Sequence, residues 1–195
     1  MRIFLFLVLI FSCELKRTSP RKSCVGNHCG QSVERPFSGS RDAEPVSTIE
    51  YNQLDHSQKE LVDTHNQYRT NVKVQVLQWS DELESYAQNW AESLSKKGCP
   101  LKHRSKPKYG ENLFWSRNQS YSPIQVVEAW GSEKSAYNYV NNSCASGKVC
   151  GHYTQMVWST TTHIGCAKAR CVSEKEEVWV CNYHPFGNYI GQRPY

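Results

Sequence analysis

The stretch Gly151–Cys171, GHYTQMVWSTTTHIGCAKARC, decides between fold classes. It holds two short runs, HYTQMVW and HIGCAKARC, rich in β-branched and aromatic residues and separated by a Ser/Thr turn. A third such run, EEVWVCNY (Glu176–Tyr183), follows. Short apolar or alternating segments bounded by turn residues predict antiparallel strands, with His152 opening the first.

Upstream the pattern is helical. In WSDELESYAQNWAESLSKKG (Trp79–Gly98), Leu83, Tyr86, Ala87, Trp90, Ala91 and Leu94 recur at the spacing of one helix face. Ser80 or Asp81 caps its start, and Gly98 supplies the left-handed stop. Asp55–Ser57 predicts the cap of an earlier helix carrying Leu61, Val62, His65 and Tyr68. Ser122–Pro123 opens a third, carrying Ile124, Val127 and Trp130, with Glu133 on its apolar flank. Helices first and strands later predict an α+β domain with helices packed on an antiparallel sheet.

The chain has 195 residues, enough for one domain with a substantial core. Its formal charge of +5 is mild, and without the first thirteen residues 22 cations face 18 anions. No strong basic stripe marks a nucleic-acid partner. Residues 1–13 place Arg2 before a nine-residue apolar run, Ile3–Phe11, the pattern of a secretory signal peptide too short to anchor in a bilayer. Cleavage is expected near Ser12 or Cys13, and bulky Phe11 argues against a lipidated Cys13. Residues 14–50 read as a flexible leader and 51–195 as the folded domain. Of nine cysteines, eight remain without Cys13, an even number that in an exported chain reads as four disulfides. Cys24 and Cys29 either close a local loop, which their high effective concentration for each other favours, or bridge to another chain. Asn118–Gln119–Ser120 and Asn141–Asn142–Ser143 are sequons for surface glycosylation.

Four polar residues sit in ordered or apolar settings: His103 after CPL, Glu111 in YGENLFW, Glu133 and His152. Two histidines and two glutamates suit either a metal site or an acid/base pair around a water. Each also suits a satisfied core or surface group. There is no HExxH, GxSxG, P-loop or GxGxxG pattern. Lys102–Lys108, KHRSKPK, places four fixed cations around His103, a field favouring an anion over a divalent cation.

Together the segments HNQYR (His65–Arg69), CPLKH (Cys99–His103), GENLF (Gly110–Phe114), WGSEKSAY (Trp130–Tyr137), GHYTQMVW (Gly151–Trp158) and CNYHPFGNYIGQRPY (Cys181–Tyr195) resemble the CAP superfamily. That superfamily comprises cysteine-rich secretory proteins, antigen five and pathogenesis-related one proteins. The resemblance runs from about Leu54 to Tyr195 and is nearest the plant-type and invertebrate venom-allergen-like branches. It implies a three-layer α-β-α sandwich around an antiparallel sheet. It maps a cavity tetrad onto His103, Glu111, Glu133 and His152, with zinc or another divalent ion bound weakly through His103 and His152 in some relatives. It implies the pairs Cys99–Cys171, Cys144–Cys150 and Cys166–Cys181. Arg104 departs from the serine of many members and adds a charge at the cavity rim. The resemblance also implies a sterol or fatty-acid ligand, with Tyr137 and Tyr139 as aromatic contacts on a loop stapled by Cys144–Cys150; packing of this pair against the sheet is the alternative reading.

Three functions follow as expectations. The first is a secreted, extracellular module that binds lipid and acts in defence or host interaction without catalysis. The second is a metal-dependent hydrolase, such as a protease, at the tetrad. The third is a receptor-binding ligand that uses neither lipid nor chemistry.

Overall fold

Polar caps and apolar stripes set the helices. Helix α1 (His56–Asn71) begins at Asp55, whose carboxylate accepts from the Gln58 amide while the Gln58 side chain accepts from the Asp55 amide, a reciprocal capping box. Strand β1 (Gln78–Trp79) leads into α2 (Asp81–Ser95), capped by Ser80 and followed by Gly98 at positive φ. After β2 (Gly110–Arg117), α3 (Pro123–Gly131) starts with the Ser122–Gln125 capping box and proline in its first turn. A 3-10 turn, Ser132–Ala136, passes to the small hairpin β3 (Tyr137–Asn138) and β4 (Ser143–Cys144). Helix α4 (Gly151–Met156) and the strands β5 (His163–Arg170) and β6 (Glu176–His184) complete the fold.

This computed structural model describes residues 45–172 and 175–195. The chain partitions into Met1–Gly39 and Ser40–Tyr195, and the first part lies outside the described residues, as do the expected signal segment, Cys24 and Cys29. Pairing begins ahead of Tyr51, because the Ile49 amide donates to the Trp79 carbonyl at 3.0 Å.

The main sheet has the order β1-β5-β6-β2. Three strands are antiparallel, whereas the short β1 joins β5 in parallel, a departure from the wholly antiparallel sheet expected. Every residue of β6 is buried, so the strand needs apolar cover on both faces. Trp179, Cys181 and Tyr183 face α1, α3 and α4, together with Leu61, Val127, Trp130 and Met156. Val178 and Val180 face α2, together with Ala87, Ala91 and Leu94. The period-two alternation of one strand therefore builds the three-layer sandwich.

Within the described residues the disulfides are Cys99–Cys171, Cys144–Cys150 and Cys166–Cys181. Cys166 and Cys181 are direct cross-strand partners, and Cys99–Cys171 ties the segment after α2 to the end of β5.

One expected strand is a helix. Gly151–Met156 forms α4, so His152 sits in a first helical turn rather than at a strand end. Tyr153, Met156 and Val157 are all buried and fall at i, i+3 and i+4, a helical spacing inside a run whose β-branched and aromatic content suggested a strand. Tertiary contacts at both ends of α4, described below, settle the competition.

Layer spacing on the α2 side is set at Gly165. A Cβ there would lie 2.6 Å from the Ser80 carbonyl oxygen and 2.6 Å from the Leu83 carbonyl carbon, both backbone atoms of the α2 start. Backbone cannot swing aside as a side chain can. Gly165→Ala is therefore expected to cost about 1–3 kcal/mol. The loss should appear as a melting temperature lowered by roughly 2–4 °C per kcal/mol, and an unchanged melting temperature would contradict this packing.

Candidate functional site

The four residues singled out in sequence form two hydrogen-bonded pairs. His103 Nδ1 lies 2.8 Å from Glu111 Oε1, and His152 Nδ1 lies 2.6 Å from Glu133 Oε1.

In the first pair, Glu111 starts β2 with its side chain 3% exposed, while the His103 ring is 61% exposed. Glu111 Oε1 also accepts from the Arg104 amide at 3.0 Å, so the carboxylate orders the loop that carries His103. Glu111 Oε2 is buried with no partner among the described residues. The hydrogen bond to Glu111 raises the His103 pKa above its ordinary value, against the opposing effect of burial. Arg104 was expected at the cavity rim. Its guanidinium instead lies over the Tyr86 ring at 3.9 Å and the Trp90 ring at 5.0 Å, and Nη2 donates to the Tyr86 carbonyl. It clamps the loop to α2, which also explains why Tyr86 and Trp90 on the apolar stripe are only half-buried.

Glu133, in the second pair, stands on the 3-10 turn after α3 rather than on the helix itself. Its Oε2 accepts from the backbone amides of His152 at 3.0 Å and Tyr153 at 3.1 Å, and its Oε1 holds the His152 ring. It thus satisfies the orphan amides at the start of α4. Burial disfavours the Glu133 charge, but the bonds from the His152 ring and the two amides outweigh it, and the carboxyl lies below its ordinary pKa. The His152 ring is stacked on Trp130, with centroids 6.2 Å apart and planes at 18°.

A buried chain of hydrogen bonds extends from this pair. Asn112 Nδ2 donates to the His152 carbonyl and to the Tyr183 hydroxyl, both at 3.1 Å. The Tyr183 hydroxyl meets His65 Nε2 at 2.9 Å, and His65 Nδ1 meets the Leu61 carbonyl at 2.8 Å. A carbonyl only accepts, so Nδ1 carries the proton and Nε2 accepts from tyrosine. Burial, reinforced by the Arg69 charge, lowers the His65 pKa to about 4 despite the Leu61 bond.

Arg69 fixes the other end of α4. It is fully buried and donates to the carbonyls of Gln75 at 2.6 Å, Met156 at 2.8 Å, Trp158 at 3.0 Å and Thr161 at 2.7 Å. Burial lowers its pKa to about 10, so it stays charged at neutral pH. Arg69, Asn112 and Tyr183 were missed as site residues. For Arg69 a signal existed: it lies four residues after His65 on the apolar stripe of α1.

The pairs do not merge into one cluster. A cleft of about 280 Å³ is lined by His103, Tyr109, Glu111, Gln155 and Phe186 among others, but by neither Glu133 nor His152. Among the described residues no three His, Cys, Asp or Glu side chains converge to hold a metal ion. Carboxylates anchor both Nδ1 atoms and leave the Nε2 atoms as the available donors; Glu133 is engaged through both oxygens, whereas Glu111 keeps Oε2 without a partner among the described residues. Two imidazole donors suit weak ion binding at most.

The other expected contacts are also placed. Tyr137 packs on Tyr153, with centroids 6.0 Å apart, and donates to Asn142 Oδ1 at 2.7 Å. Tyr139 stacks on Tyr195 at 4.6 Å with its planes 9° apart, and Arg193 lies over it. Asn118 and Asn141 are exposed, in the turn after β2 and in the β3–β4 turn.

Glu133→Ala is expected to lower stability by about 2 kcal/mol and to speed hydrogen exchange at the His152 and Tyr153 amides. Unchanged exchange there would contradict the cap. Acidification tests His65. Its folded pKa lies below the unfolded value of 6.5, so the unfolded chain binds the proton first. That stability is present above pH 6.5 and is lost as pH falls towards 4, by about 3 kcal/mol in all. In denaturant titrations across this window His65→Gln should flatten the pH dependence. An equally steep slope in the variant would refute the assignment.

The sequence pattern of the CAP, or cysteine-rich secretory protein, family matches residues 62–183. Pathogenesis-related protein PR-1 of Medicago truncatula is 47% identical over 127 residues, covering 65% of this chain and 72% of that protein. Venom allergen-like protein 4 of Schistosoma mansoni superposes with a TM-score of 0.59 at 26% identity, covering 73% of this chain and 95% of the other. The zinc-bound structure of NaASP2 superposes with a TM-score of 0.57 at 23% identity, covering 76% and 90%, and shares the fold. With its three-layer sandwich, its disulfides and its His/Glu pairs, the chain belongs to the CAP family of cysteine-rich secretory proteins.

Proposed function

We propose that this protein is a secreted, non-catalytic CAP module that binds a sterol or fatty acid and serves in defence or host interaction. On this reading residues 1–13 are the cleaved signal peptide, 14–50 the leader and 51–195 the binding domain. The similarity to a plant pathogenesis-related protein supports the defence setting.

The observation carrying the lipid reading is the apolar margin of the stapled segment between α3 and α4. Val140 is 75% exposed, Val149 62% and Tyr139 42%, all on the segment that the Cys144–Cys150 bridge staples. Grouped exposed apolar side chains mark an interaction site more than scattered ones do. Tyr137 contributes from beneath, tethering Asn142, and Tyr139 keeps an exposed ring edge. The site chemistry supports binding over turnover. Glu133 spends both oxygens on α4, and Glu111 spends Oε1 on its own loop while its unpartnered Oε2 is buried away from solvent, so neither oxygen pair is presented to a substrate water as a general base. The two histidine Nε2 atoms retain the capacity to take up a divalent ion such as zinc weakly.

The test is saturable binding of a radiolabelled sterol and a radiolabelled fatty acid to the secreted protein. Val140→Ser with Val149→Ser is expected to weaken binding about tenfold or more, since each removes apolar surface worth roughly 1 kcal/mol. No saturable binding, or equal binding in a folded double variant, would overturn the lipid reading. Zinc-dependent hydrolysis of peptide, ester or phosphate substrates that vanishes in His152→Ala would instead establish an enzyme.

A further inference from the structure

A second cleft, between the C-terminal segment and α4, has a lining unlike that at His103. It holds about 300 Å³ and is bordered by Asn142, Thr154, Trp158, Asn188, Tyr189 and Gln192, with no charged side chain among its lining residues. That composition favours a neutral polar ligand: it offers no charged side chain to a metal ion or phosphate, and carboxamides interrupt any apolar wall for a lipid. Carboxamides, a hydroxyl and aromatic rings are the groups that recognise a neutral polyol: the amides donate and accept at once, and a ring face covers C–H surface.

Two of the carboxamides are already fixed. Asn142 accepts from the Tyr137 hydroxyl at 2.7 Å and donates to the Gln192 carbonyl at 2.9 Å. Asn188 accepts from the Thr154 hydroxyl at 2.7 Å and donates to the Gly151 carbonyl at 2.8 Å. A carboxamide offers two N–H donors and two lone pairs, so each keeps one donor and one acceptor. Because these groups are held in place, little side-chain entropy is lost when a ligand arrives. Tyr189 is 42% exposed and braced by Phe186 at 4.9 Å and Trp158 at 6.0 Å, a supported ring platform.

We propose that this cleft binds a neutral saccharide, with Asn142, Asn188 and Gln192 reading hydroxyl pairs and Tyr189 stacking on a pyranose face. Asn188 also lines the cleft at His103, so the two clefts share one wall residue. Asn142 stands on the same stapled segment as Val140 and Val149, but the proposal does not rest on the lipid reading.

The experiment is a titration of the isotope-labelled protein, followed by NMR, with cellohexaose, laminarihexaose and chitohexaose. A sulfated heparin hexasaccharide serves as the charged comparison. At least one neutral sugar should shift the side-chain amides of Asn142, Asn188 and Gln192 and the Tyr189 ring, with heparin giving no shift there. Tyr189→Ala and Gln192→Ala should each weaken binding about tenfold while leaving the remaining spectrum in place. No shifts up to concentrations on the order of 10 mM, shifts mapping elsewhere, or preferential heparin binding at these residues would overturn the proposal. Should Tyr189→Ala not fold, the wild-type map and Gln192→Ala decide: unaltered affinity in Gln192→Ala counts against it.

Discussion

A single buried guanidinium organises the side of the sheet that carries α1, α3 and α4. Arg69 has no carboxylate partner among its hydrogen bonds and gathers four backbone carbonyls instead. Those carbonyls belong to the segment after α1, the end of α4 and the turns leading into β5. Three of them, on Met156, Trp158 and Thr161, lie at the end of a six-residue helix and in its exit loop, where helical hydrogen bonding stops. An isolated helix of that length is not stable in water. It exists here because a cation closes its C-terminal end and the Glu133 carboxylate closes its N-terminal end, each complementing the helix dipole.

His152 therefore acquires its position from residues far away in sequence. Glu133 fixes its ring and amide, Trp130 stacks on the ring, and Asn112 holds its carbonyl. His103 is fixed differently, by a loop that Glu111 and Arg104 fasten to β2 and α2. The two histidines are alike in chemistry, and each is oriented through Nδ1 by a carboxylate. Their supports belong to different layers of the sandwich.

Much of this architecture was legible in the sequence because it is local. The caps at Asp55, Ser80 and Ser122 and the apolar stripe of α2 are statements about neighbours three or four residues apart. The strands β5 and β6 and the α+β class also followed from pattern, whereas the three-layer sandwich came from the family resemblance. What pattern did not carry was long-range. Residues Gly151–Met156 have strand-like composition, and only Arg69 and Glu133, 87 and 19 residues from the groups they bond, make them helical. Arg104 has the charge of a rim residue, yet two aromatic rings on α2 draw it away. The parallel pairing of β1 rests on two residues, too few to leave a periodic signal. The His/Glu set was visible through family resemblance, but its division into two pairs is a tertiary property.

Gly165 has a mechanical consequence. With the backbone at the start of α2 seated directly on Gly165 of β5, that point of contact has no side chain whose rotamer can adjust, so the start of α2 keeps a fixed spacing from the sheet. The opposite layer rests on long side chains and on a helix held at its two ends by charges. A fluorescent or spin label at the start of α2 therefore offers a fixed reference against which any movement near α4 or the C-terminal segment can be followed.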